Sequence, residues 1–278
     1  MLTNRELVLT DIDDTVLEQL GIMELLGMFS AFLSHLGSTG PGHLILLGDL
    51  LLERFEKTGR EGDIERAILA YKRAVQVTPA EHPMHATYIT DCGQALLRRF
   101  ELSGNLDDVH DAISILGQGL CPAAEDDDDF PQRLATVINL GGAFQSRFGR
   151  TGDLADLEIA ISNFQRAVEL TPHGDPDMPK WLSNLGNAFQ SRFGRTGDPT
   201  DLENAISNCR RAIELTPHVH ADMPKWLNHL SNAFQSRFGR TGDLADLENA
   251  CRRAHSTRPS RHAEMARQPR SCIQISLW

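Results

Sequence analysis

The sequence predicts an all-α fold, a solenoid of stacked antiparallel helix hairpins, and three observations carry that prediction. The eleven-residue string AFQSRFGRTGD stands at 143–153, 188–198 and 233–243, its starts 45 residues apart. An Arg-Phe step recurs at Arg54-Phe55, Arg99-Phe100, Arg147-Phe148, Arg192-Phe193 and Arg237-Phe238, spaced 45, 48, 45 and 45 residues. Between these marks apolar residues return at steps of three and four, without β-branched alternation. A fixed period of this length means one supersecondary unit repeated, each burying its apolar face on its neighbours.

Five units are expected, at 43–79, 84–122, 131–172, 179–217 and 224–254. The single 48-residue interval contains Glu125 and the aspartates 126–129, so its three extra residues lengthen a surface loop. Each unit reads as two helices. In the fourth, Leu182, Leu185, Phe189 and Phe193 form one stripe of a helix entered at Met178-Pro179, with proline in a first turn that needs no amide partner. It stops near residues 194–197. Asp198 is an N-cap, Pro199 the first helical residue, and Asp201 favours the positive end of the helix dipole. The inner stripe of this second helix is Leu202, Ala205, Ile206, Cys209, Ala212 and Ile213, closed by Leu215-Thr216-Pro217.

Small residues should sit where the two helices of a hairpin cross, because a larger side chain would hold them apart. Gly48, Gly93, Gly141, Gly186 and Ser231 fall at one such position, and Ala67, Ala112, Ala160, Ala205 and Ala250 at the other. Phe144, Phe189 and Phe234 are expected to fill the space between units.

Leu185-Gly186-Asn187-Ala188-Phe189, followed by Ala205-Ile206, Ala212-Ile213 and Pro217, resembles the tetratricopeptide-repeat pattern of small and large positions. The longer period is accommodated by residues added around the inter-helix turn and between repeats. Such long-period arrays resemble those of fungal proteins attached to a caspase-like (CHAT) protease or a nucleotide-binding signalling domain. The resemblance implies a concave groove, lined by first helices, that grips a protein or an extended peptide. On the stripe opposite Leu185 and Phe189 stand Lys180, Asn184, Asn187 and Gln190, and in the next unit Lys225, Asn228, Asn232 and Gln235. Amides and an ammonium suit a peptide backbone and a carboxylate. Asn187 and Asn232 match one asparagine of the clamp with which some family members hold a terminal carboxylate, but the clamp's full Lys/Arg set has no match here.

Motifs that resemble chemistry are better explained by the repeat. Residues 7–16, with Asp11 and Asp13, resemble the first motif of haloacid-dehalogenase-type phosphatases, in which those aspartates would act as nucleophile and general acid with magnesium. Residues 9–16 also align with 154–161, which makes them the second helix of a partial repeat within an irregular segment 1–42. His82 with His85, and His218 with His220, are loop histidines too few for a metal site. The acidic run at 125–129 lacks the glycine and alternation of a calcium loop. No metal, cofactor or enzymatic activity is expected.

A net charge of −11 weighs against nucleic acid as partner, since phosphate contacts need clustered Lys and Arg. The most apolar stretch, 20–36, is interrupted by Glu24 and His35, so no membrane span is expected. Five cysteines without a CxxC pair, with Cys92 and Cys209 on apolar helix positions, point to a reducing, cytoplasmic setting.

The pattern breaks after Ala250. The tail at 255–278 is rich in arginine, holds Pro259 and Pro269, and is expected to be disordered. Codons for Cys272 to Trp278, read one base later, can spell AFKSRF, so a frame-shifted origin is expected. The shortened last unit should leave Leu244, Leu247 and Ala250 exposed and favour self-association through that end. The function expected is a non-enzymatic interaction scaffold; the alternatives are a sensor arm of a larger CHAT- or NTPase-type protein, or the phosphatase remnant.

Overall fold

The computed structural model describes residues 40–120, 130–216, 220–246 and 248–249. Among them are α1 (Pro41–Thr58), α2 (Glu61–Val77), α3 (His85–Ser103), α4 (Leu106–Gln118), α5 (Phe130–Thr151), α6 (Leu154–Leu170), α7 (Met178–Thr196), α8 (Pro199–Glu214) and α9 (Met223–Thr241). A further helical turn at 244–246 follows, and no strand occurs among the described residues. The phosphatase-like aspartates Asp11 and Asp13, the acidic run at 125–129, His218, Leu247, Ala250 and the tail at 255–278 lie outside the described residues.

The turn inside each hairpin explains most of the repeated string. In α7, the Thr196 hydroxyl donates to the Arg192 carbonyl (3.0 Å) and accepts from the Asp198 amide (3.2 Å). Gly197 takes a left-handed φ of 70°, and its amide closes on the Phe193 carbonyl at 2.8 Å. That conformation favours glycine, which lacks the Cβ that would clash. Asp198 then caps α8, accepting from the Thr200 amide at 2.9 Å, which holds its carboxyl below the usual carboxylate range. Asp153 and Asp243 cap in the same way through Ala155 and Ala245, as does Asn105 through Asp107. In the first hairpin Arg60 stands at this position and makes no side-chain cap.

The chain forms two compact units, Met1–Arg150 and Thr151–Trp278. In the first, α1 packs on α2, α2 on α3, and α3 on α4. One core joins Leu47, Leu51 and Phe55 of α1, Ile64, Ile68 and Tyr71 of α2, and Cys92 and Leu96 of α3. A second joins Ile89 and Phe100 of α3, Val109 and Leu116 of α4, and Leu140 and Ala143 of α5. In the second unit α6 packs on α7, α7 on α8 and α8 on α9, while the first helices α7 and α9 also touch.

Close helix approach depends on the predicted small residues. A Cβ on Gly186 would lie 2.6 Å from Cys209 Sγ and 3.1 Å from the Ala205 carbonyl oxygen. Gly48 is pressed in the same way by the Tyr71 ring, and Gly93 by Leu116, each at 2.6 Å. Ala67, Ala112, Ala160 and Ala205 have no exposed surface. Phe189 and Phe234 are buried, and Arg210 of α8 lies 5.2 Å from the Phe234 ring, so this phenylalanine does reach the preceding hairpin. Burial lifts the Cys209 thiol to about 12, leaving it a neutral packing group.

Leu244 is 64% exposed, against 40% for its equivalent Leu154 in the third hairpin.

Candidate functional site

The repeated Arg-Phe step is a structural fastening. Arg192 Nε and Nη2 meet the Asp201 carboxylate at 3.0 and 2.7 Å, and Nη1 reaches Glu158 of the preceding hairpin at 3.5 Å. Arg237 repeats this with Asp246 (2.8 and 2.6 Å) and Glu203 (2.8 Å). Arg54 pairs with Asp63, and Arg99 with Asp108. The Asp108, Asp201 and Asp246 carboxylates are almost fully buried, and their hydrogen bonds hold the facing arginines charged. A second arginine in the string also stitches neighbours. Arg150 donates to the Gly104 carbonyl (3.1 Å), and Arg240 to that of Gly197.

The first-helix stripe has another character. Lys180 is exposed, with its ammonium 4.9 Å from the buried Trp181 ring, while Asn184, Asn187 and Gln190 are half-buried. On α9, Lys225, Asn228, Asn232 and Gln235 are all exposed. None of these eight side chains makes a hydrogen bond or ion pair within the described residues. Two residues that the sequence pattern did not single out join this stripe. The fully buried Ser183 of α7 bonds His229 Nδ1 of α9 at 2.9 Å, tying the two first helices together. Burial, then the nearby Lys225, holds the His229 imidazole below its usual range. Only packing reveals this pair, because Ser183 and His229 occupy different positions of their repeats.

His82 and His220 are turn acceptors, whereas His85, expected in a loop, is the first residue of α3. His82 Nδ1 accepts the Met84 amide at 3.1 Å, and His220 Nδ1 accepts the Asp222 amide at 3.2 Å. In the fourth hairpin the Asp175 carboxylate does the same for Asp177 at 2.8 Å. His220 also stacks on Trp226, ring centroids 5.1 Å apart. Among the described residues no group of three or more His, Cys, Asp or Glu side chains could hold a metal ion. No helix among them is long and apolar enough to cross a membrane.

No protein-family model matches the chain, and no curated protein is similar to it. Solved structures are. A Podosopora anserina putative kinesin light chain with nearly identical TPR-like repeats aligns over 80% of this chain and all of its own, at 17% identity and a TM-score of 0.55. BtubC (BKLC) from P. vanneervenii aligns over 91% of this chain and 87% of its own, at 16% identity and a TM-score of 0.55. YrrB, described as a TPR protein with an unusual peptide-binding site, aligns over 93% and 99%, at 14% identity and a TM-score of 0.50. The fold is that of a tetratricopeptide-like repeat. In this TPR-like array the arginines, threonine, glycine and aspartate of the repeated string serve the turn and the fastening.

Proposed function

We propose that the chain is a non-enzymatic scaffold that binds a protein or an extended peptide on its first-helix face. Lys180, Asn184, Asn187 and Gln190 of α7, with Lys225, Asn228, Asn232 and Gln235 of α9, are the contact residues. The observation that supports this is their lack of any intramolecular hydrogen bond or ion pair, whereas the arginines of the same helices are committed to partners. Side-chain amides offer both donor and acceptor to a peptide backbone, and the ammonium groups offer charge. Affinity capture with the full chain tests it: Asn187→Ala with Asn232→Ala should lose the proteins retained by the parent. Equal retention by both would reject this face as the binding surface.

The 45-residue period also supports a finer assignment as a long-period array serving as sensor arm of a larger CHAT- or nucleotide-binding-type protein. A reading frame continuing the repeats into such a domain would establish it. The free, buried Cys92 and Cys209 support a cytoplasmic setting.

A further inference from the structure

We propose that residues 9–25 of this chain, which lie outside the described residues, dock on the outer side of α1, with Asp13 seated on the Arg54 guanidinium and Leu20 over Leu51. The last hairpin shows which side of a first helix this is. On α9, His229 bonds Ser183, the Phe234 ring lies 5.2 Å from the Arg210 guanidinium, and Arg237 meets Glu203 at 2.8 Å. All three residues face the preceding hairpin. Their counterparts on α1, each 183 residues earlier, are Leu46, Leu51 and Arg54.

Because α1 is the first described helix, no described hairpin stands on this side of it. The side is nevertheless covered. Leu46 and Leu51 are buried, and Arg54 is 9% exposed, against 29%, 24% and 23% for Arg99, Arg192 and Arg237, which do follow a hairpin. The side is also more apolar than its equivalents. Leu46 stands where Asp91, Asn184 and His229 do, and the buried Leu50 where Ala95, Ala188 and Ala233 do. A guanidinium this buried is held by carboxylates, because an unmet charge away from water is costly. Asp63 of α2 supplies one. Arg192 and Arg237 take a second from the preceding second helix.

The chain carries its own occupant. Residues 9–25 match 154–170 in register, with Leu9, Asp11, Glu24 and Leu25 identical to Leu154, Asp156, Glu169 and Leu170. This register puts Asp13 at the place of Glu158 and Glu203, the acids that reach Arg192 and Arg237. It puts Leu20 at the place of Arg210, which lies on Phe234. An apolar residue thus replaces the cation where the facing helix carries Leu51 in place of the phenylalanine. Residues 26–39 link the segment to the Gly40 cap of α1, a longer connection than residues 171–176 between Leu170 and the Asp177 cap of α7. The segment therefore has enough chain to reach its seat. Asp13, the general-acid position of the phosphatase-like motif, is then a fastening residue.

Hydrogen exchange of the full chain, followed by mass spectrometry on peptides from α1 and α8, tests the seat. Asp13→Asn and Leu20→Asp should each speed amide exchange in α1 by about tenfold or more and leave α8 unchanged. Asp13→Glu should keep the parent rate, since Glu158 and Glu203 hold the same place. Asp14→Asn should keep it too, because its counterpart Ile159 is exposed on α6. Parent-rate exchange in α1 with Asp13→Asn or with Leu20→Asp would overturn the proposal, as would an equal effect of Asp13→Asn and Asp14→Asn. Protection of α1 that fades when the parent is diluted would assign the cover to a second copy and reject docking within one chain.

Discussion

The Arg192 guanidinium holds the Asp201 carboxylate at two points, 3.0 and 2.7 Å, across the turn that joins the helices of one hairpin. Asp201 is the third residue of α8, so it also faces the unpaired amides and positive dipole end of that helix. The Arg-Phe step of the sequence thus ties together the two helices of a hairpin, as Arg54, Arg99 and Arg237 do in theirs.

Because Asp201 is buried, removing it strands a partly buried guanidinium. Asp201→Ala should destabilise the protein by about 2–4 kcal/mol, more than a surface ion pair would account for. Urea unfolding measures it; a loss within about 0.5 kcal/mol, the range of an ordinary surface substitution, would show that the pair is a bystander.

Two glycines three residues apart should respond oppositely to alanine. A Cβ on Gly194, inside α7, meets nothing within 4 Å, so Gly194→Ala should stabilise by about 0.5–1 kcal/mol. Gly197 has a left-handed φ of 70°, so Gly197→Ala should cost about 1–2 kcal/mol. Thermal melts of the two variants should move in opposite directions from the parent.

At the hairpin crossing, Ala205 has no exposed surface and its carbonyl oxygen lies against Gly186. Ala205→Leu should overpack this contact and cost about 1–3 kcal/mol. Unchanged melting would contradict the close approach of α7 and α8.

Asp91 gives the first compact unit a pH dependence. Burial, then the charge of Asp49, pushes its carboxyl up to about 6, while the Tyr71 hydroxyl donates to Asp49 at 2.9 Å. A folded-state value above the unfolded one means the folded state binds the proton more tightly. This contribution is full below the ordinary carboxylate value near 4 and lost as pH rises through about 6. Stability should fall by about 1–2 kcal/mol over that window, allowing for partial screening by water. Asp91→Asn should remove this part of the pH profile; an identical profile would contradict the assignment.

The helices and hairpin turns were legible because their determinants are local. Met178-Pro179 opens α7, and Asp198-Pro199 opens α8, through rules that act within one turn of helix. The fastening by Arg192 was legible in principle, since an aspartate stands nine residues after each of Arg54, Arg99, Arg147, Arg192 and Arg237. It escaped notice because the pair spans two helices, where the three- and four-residue spacings of a single helix give no guidance. The histidines at 82 and 220 read as loop residues too few for a metal site, but that they accept the amides of Met84 and Asp222 is visible only in the turns themselves.

By itself the sequence determined the helical period, the caps and the small residues at each crossing, because backbone sterics and apolar periodicity act over a few residues. Only the tertiary structure decided that Ser183 meets His229, that Arg192 reaches Glu158, and that Lys180 and Lys225 have no ion-pair partner among the described residues. Those outcomes depend on how far one hairpin rotates against the next. That rotation is set by side-chain packing across the interface, which local backbone rules do not specify.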